Sequence, residues 1–97
     1  MKSRLTSASE SEFSDGAAYY ESEAGNGTQF IHAVLNALRL LESFPFIGRQ
    51  LGDRVRSYPI HKFPNSIIYH VTENEIVVVS VAHQSRKPEY WIDRLSE

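Results

Sequence analysis

Along the first half of the chain, apolar side chains return every three or four positions; along the second half they alternate or run together. Phe13, Ala17, Tyr20 and Ala24 are spaced for one face of a helix ending near Glu23. Ahead of them, Ser7-Ala8-Ser9-Glu10 has capping-box spacing, with Ser7 placed to bond an orphan N–H and Glu10 to reach back. Glu10, Glu12 and Asp15 suit the positive end of that helix. Gly16 weakens it by about 1 kcal/mol relative to alanine, a cost that close packing against a second helix would justify. Gly25-Asn26-Gly27 is a stop and a turn. A second helix is predicted from about Thr28 to Ser43. Phe30, Val34, Leu38 and Leu41 form its buried stripe, widened by Ile31, Leu35 and Ala37. Pro45 pushes Phe44 out of helical backbone and ends it. The short connection makes the two helices an antiparallel hairpin.

Residues 45–53 hold Pro45, Gly48 and Gly52 and read as a loop. From Arg54 the period becomes two. Arg54 to Ile60 is the first predicted strand here, and Pro59 near its end marks an edge or a bulge. His61 to Pro64 makes a turn. Ser66 to Val71 alternates, with Ile67, Tyr69 and Val71 on one face and Ile68 and His70 on the other. Thr72-Glu73-Asn74-Glu75 then separates two β-branched runs, which is a hairpin signal. Ile76 to His83 is apolar on both faces and reads as a central strand. Pro88 suits the first turn of a terminal helix carrying Tyr90, Trp91, Arg94 and Leu95. The expected fold is α+β, a helical hairpin packed on one face of a small, mostly antiparallel sheet. A single domain spans residues 1–97, without repeats or low-complexity tracts.

Composition narrows the chemistry. Ninety-seven residues, 41% of them hydrophobic, support one modest core. The chain has no cysteine, which excludes disulfides, thiolate zinc sites and cysteine nucleophiles, and a reducing, cytoplasmic setting is expected. Met1-Lys2-Ser3-Arg4 leads into no apolar stretch, so no signal peptide is expected. The longest apolar run, Ile76 to Ala82, is too short to span a bilayer, and no membrane partner is expected. The net charge is −2, without the basic surplus that broad nucleic-acid affinity needs. Cations are instead local: Arg54, Arg56 and Lys62 in one stretch, Arg86 and Lys87 in another.

The candidate functional surface is the sheet and its strand ends: Arg54, Arg56, His83, Arg86, Lys87, Tyr90 and Trp91. Arginine, tyrosine and tryptophan are the side chains that most often anchor interfaces. Each also has a plainer role. Trp91 would pin the terminal helix to the sheet, and Tyr90 would pack beside it. Arg54 and Arg56, two apart on a strand, would solvate one sheet face. His83 would bond a neighbouring backbone group. Tyr19 and Tyr20 read as helix packing, and Arg94 as a cap or a local partner of Asp93 or Glu97. His32, His61, His70 and His83 lack ligand spacing, so neither a metal site nor a cofactor is expected.

Phe63-Pro64, Ile67-Ile68-Tyr69, the valine-rich strand to Ala82-His83, and Arg86-Lys87-Pro88-Glu89-Tyr90-Trp91 with Arg94 form an ordered set. Together with Ala17-Ala18-Tyr19-Tyr20-Glu21, Phe30, Phe44-Pro45 and Gly48, this set resembles the RelE/ParE superfamily of bacterial type II toxins, the ParE branch most closely. The resemblance covers nearly the whole chain. It implies the β-α-α-β-β-β order with a short C-terminal helix, and adds an edge strand at about Lys2 to Leu5. It also implies an antitoxin partner of the ParD-like or another small type, and inhibition of DNA gyrase by binding, without a catalytic set.

The RelE branch instead cuts messenger RNA on the ribosome. That chemistry needs a base, an acid and cations for the phosphorane charge. Where that branch has two arginines, this chain has Ser66 and Gln84; Tyr90 matches its terminal tyrosine. Arg54 and Arg56 keep a basic-x-basic pattern, and His83, Arg86 and Tyr90 are the substitute acid–base candidates. A third alternative is a decayed toxin that only binds its antitoxin.

Overall fold

The computed structural model describes residues 1–85 and 92–96. Strand β1 (Lys2–Leu5) leads into helices α1 (Ser7–Ala24) and α2 (Gly27–Ser43). Four strands follow: β2 (Arg49–Gln50), β3 (Arg56–Pro59), β4 (Asn65–Val71) and β5 (Glu75–His83). A 3-10 helix, Ile92–Ser96, lies near the C-terminus. The sheet order is β1-β5-β4-β3-β2. β1 runs parallel to β5, and every other pairing is antiparallel. This is the expected α+β fold, with one strand more in the loop region.

Helix α1 starts one residue earlier than the capping box placed it. Thr6, not Ser7, is the N-cap, and its Oγ1 accepts from the Ser9 N–H at 3.2 Å. The reason is that Thr6 still belongs to the sheet: its N–H donates to the Val78 carbonyl at 3.1 Å. Gly25 ends α1 at φ 67°, a backbone glycine adopts without strain, and Asn26 begins α2.

The two helices meet where Gly16 faces Phe30. A Cβ on Gly16 would lie 2.9 Å from the Phe30 ring, so the missing side chain sets the approach. Phe30 is wholly buried, with Phe13, Tyr20 and Phe63 around it at centroid distances of 6.1, 4.9 and 5.2 Å. Below the helices, Ile67, Tyr69, Ile76, Val78 and Val81 complete the main core with Val34, Leu38 and Leu41. Burial of this many large apolar side chains is the dominant stabilising term.

On the opposite sheet face, Val55, Ile68, Val77 and Val79 form a smaller cluster against which Leu95 packs. β5 is the expected central strand, and it is apolar on both faces because both are covered. Between Ile68 and Tyr69 the β4–β5 register slips, leaving Val79 as an extra residue on β5. β3 is shorter than the Arg54–Ile60 stretch. The segment expected to be loop supplies β2, which pairs with Ser57 and Arg56 alone. Pro59 lies beyond the reach of β2, where its missing N–H costs no ladder bond.

Candidate functional site

The α2–β2 loop is fastened from beneath. Pro45 stops α2, and the chain must cross from helix to sheet within a few residues. The phenol of Tyr69, buried in β4, donates to the Pro45 carbonyl at 2.8 Å and accepts from the Gly48 N–H at 3.0 Å. A Cβ on Gly48 would sit 2.5 Å from that oxygen, so only glycine fits. Burial raises the Tyr69 phenol above its ordinary value, against the Gly48 hydrogen bond and the nearby Arg56 charge, so it stays a neutral donor. Arg56 adds the second clamp. Its Nη1 donates to the carbonyls of Phe46 at 3.0 Å and Gly48 at 2.9 Å. Its guanidinium lies 5.2 Å from the centre of the Phe46 ring.

The clamped loop holds large apolar side chains in solvent. Phe46 is 63% exposed and Phe44 57%, with Ile47 and Leu51 also exposed. Beside them, Arg54, Arg56, Phe46 and His70 line a small polar hollow of about 300 Å³. Desolvation lowers the His70 pKa below the ordinary 6.5, and the Arg54 and Arg4 charges lower it further against the opposing pull of Glu75. The imidazole is thereby kept neutral among cations.

A second neighbourhood lies where β1 gives out. β1 pairs with β5 only as far as Val78, and side chains take over the edge beyond it. Ser9 Oγ donates to the Val78 carbonyl at 2.9 Å, and Arg94 Nη1 to the Val79 carbonyl at 3.1 Å. The Val81 N–H and the Ser80 hydroxyl donate to Glu12 Oε1 at 3.1 and 3.0 Å. Glu12 and Arg94 close the arrangement with an ion pair at 2.7 Å. Arg94 thereby bridges to α1, 82 residues away. A cleft of about 660 Å³ opens here, lined by Glu12, Tyr19, Tyr20, Asn65, His83 and Arg94.

The sequence-predicted set is divided between these places. Arg54 and Arg56 share the small hollow. His83 lines the cleft beside α1, where its Nδ1 accepts from the Ser85 N–H at 3.0 Å. Arg86, Lys87, Tyr90 and Trp91 lie outside the described residues. Among the described residues, no group of three histidine, cysteine, aspartate or glutamate side chains is arranged to hold a metal ion. No helix among them is long and apolar enough to cross a membrane. Sequence reasoning missed the Tyr69 and Arg56 clamps. The signal was there in Gly48 and Tyr69, but it is a contact between positions 21 residues apart, invisible to local periodicity.

The family of ParE toxins of type II toxin–antitoxin systems matches residues 4–88. The chain belongs to the ParE toxin family. In a solved structure of a chromosomal ParDE toxin–antitoxin system from P. aeruginosa, a chain 16% identical superposes with a TM-score of 0.75. The match covers 86% of this chain and 95% of that one, and at this identity it speaks for the fold. No curated protein matches the sequence. As a ParE-family toxin, the chain departs from the RelE pattern at two described positions. Ser66 sits half-buried in β4 opposite Pro59 and Ala82, and Gln84 stands exposed just past β5.

Proposed function

We propose that this protein is the toxin of a type II toxin–antitoxin pair and acts by binding and inhibiting DNA gyrase in the cytoplasm, with an antitoxin as its partner. The observation that carries this reading is the ParE family match over residues 4–88. Two features of the fold support it. The first is the engagement of Arg56 Nη1 by the Phe46 and Gly48 carbonyls, which ties this side chain to the loop that presents Phe46. The second is the rigid display of Phe44, Phe46 and Ile47, which suits protein recognition and not catalysis. Exposed apolar side chains also continue along α2 at Ile31, Leu35 and Leu40, surface that an antitoxin would cover. The neighbouring ParDE structure is named as a toxin–antitoxin system, which supports such a partner.

The endoribonuclease alternative finds less support. Of its candidate residues, His83 lines a different cavity from Arg54 and Arg56, while Arg86 and Tyr90 lie outside the described residues. Induced expression separates the readings. A gyrase inhibitor stops thymidine incorporation before methionine incorporation. A messenger-RNA nuclease stops methionine incorporation first, and that order would overturn the proposal.

A further inference from the structure

The hollow of about 300 Å³ beside Phe46 has a cationic lining that gyrase inhibition leaves without a role. Arg54 and Arg56 line it from one side of the sheet edge, and His70 and Thr72 from the end of β4. Two guanidiniums stand there against one carboxylate, that of Asp53, in a chain whose net charge is −2. A local surplus of positive charge in a concave site concentrates anions.

The donors of this lining are not used up by the fold. Arg56 engages the Phe46 and Gly48 carbonyls through Nη1 alone, and neutral carbonyls leave its charge uncompensated. Arg54 is exposed and makes no hydrogen bond or ion pair among the described residues. His70 is only 8% exposed, yet no group among the described residues hydrogen-bonds to its ring. A largely buried imidazole with no protein partner takes one from whatever fills the space it lines. Desolvation first, then the Arg54 and Arg4 charges, keep the ring neutral. Glu75 opposes them and is itself paired with Arg4 at 3.1 Å. A neutral imidazole still offers one N–H.

We propose that this hollow binds a small oxyanion, a phosphate group foremost, between Arg54, Arg56 and His70. Guanidinium matches phosphate oxygens in bidentate geometry. Donors arriving from three positions suit a tetrahedral group better than a planar one. The volume lies at the lower end for small-molecule sites, which fits free phosphate or the phosphate end of a small metabolite. The two positions where the RelE pattern has arginines lie elsewhere: Ser66 is near the opposite end of β4 from His70, and neither Ser66 nor Gln84 lines the hollow. An anion in the hollow favours the protonated ring, so occupancy and protonation of His70 strengthen each other by linkage.

The test is NMR of the amides and histidine rings of the purified chain. Sulfate, inorganic phosphate and adenosine monophosphate are titrated in turn at constant ionic strength, with chloride as the reference salt. Sulfate keeps its charge across the pH range, so pH dependence of its binding belongs to the protein. Saturable shifts are expected at residues 50–56 and 70–72. Sulfate should bind several-fold more tightly at about pH 5.5 than at about pH 7.5, and saturation should raise the His70 pKa. Arg54→Gln changes an exposed side chain and should weaken binding about tenfold. His70→Gln keeps an N–H donor without the titrating proton, so it should bind near neutral pH and lose the gain at low pH. Tighter binding of the nucleotide than of inorganic phosphate would mark a metabolite site, and the reverse a site for the free ion. No saturable shift, shifts outside the hollow, the same response to chloride, or full affinity in Arg54→Gln would overturn the proposal. So would an unchanged pH dependence in His70→Gln. Neither gyrase nor an antitoxin is in the sample, so failure here and failure of the gyrase reading are distinguishable.

Discussion

At the residue scale, polar side chains that are buried have tasks, and their tasks restrict what else they do. Arg56 was a candidate for target binding on its charge alone. In the fold its Nη1 donates to the Phe46 and Gly48 carbonyls, and through them it shapes the surface that Phe46 presents. His70 is the titratable counterpart. It is 8% exposed, and burial with the Arg54 and Arg4 charges depresses its pKa, while Glu75 alone pulls the other way. The folded state therefore binds fewer protons than the unfolded state near the ordinary histidine value of 6.5. The stability it contributes is present above that pH and is lost as pH falls through the folded pKa. Urea midpoints measured from about pH 8 down to about pH 5 should decline below the histidine range. In His70→Gln that part of the decline should flatten. A decline of the same size in the variant would remove His70 as its source.

At the scale of elements, the decisive contacts join pieces that no local pattern connects. β5 outruns β1, and its spare edge would expose unpaired backbone to solvent or to another strand. Glu12 and Arg94 supply the missing partners from α1 and from the 3-10 helix. The pair is mostly sheltered, each side chain 19% exposed, and removing Glu12 takes away an acceptor shared by the Arg94 guanidinium, the Ser80 hydroxyl and the Val81 N–H. Glu12→Ala should cost about 2 to 3 kcal/mol of unfolding free energy, read from urea denaturation. A loss below about 0.5 kcal/mol would show that the edge is held by something else.

The same contrast separates what was legible from what was not. Helix spans, the Phe30-Val34-Leu38-Leu41 stripe of α2, the turn at Gly25-Asn26-Gly27 and the alternation in β4 are local signals, and the fold follows them closely, whereas Ile31 and Leu35, expected to widen that stripe, are exposed. β2 was missed because two residues carry no period, and its pairing with β3 is set by where the Tyr69 and Arg56 clamps hold the preceding loop. The Thr6 cap was misplaced by one residue because sheet pairing with Val78 fixes where the strand ends. The Arg94–Glu12 pair was not foreseen because only tertiary structure brings these two distant positions together.

At the scale of the whole molecule, a helical hairpin covers one sheet face and leaves distinct surfaces around it. One is the apolar display at Phe44, Phe46 and Ile47; another is the cationic hollow at Arg54 and His70. Of the candidate interface, Arg54 and Arg56 come together, His83 stands at a separate cleft, and the cationic and aromatic cluster from Arg86 to Trp91 lies outside the described residues. Composition had already argued against a general nucleic-acid grip, and a net charge of −2 fits a toxin that works on a protein. The most direct test is a plasmid supercoiling assay with purified gyrase, titrated with this protein and read for both lost supercoiling and trapped cleaved DNA. The account predicts that supercoiling falls with dose and that cleaved plasmid accumulates or gyrase is silenced outright. Full supercoiling activity at a large molar excess of folded protein would contradict it.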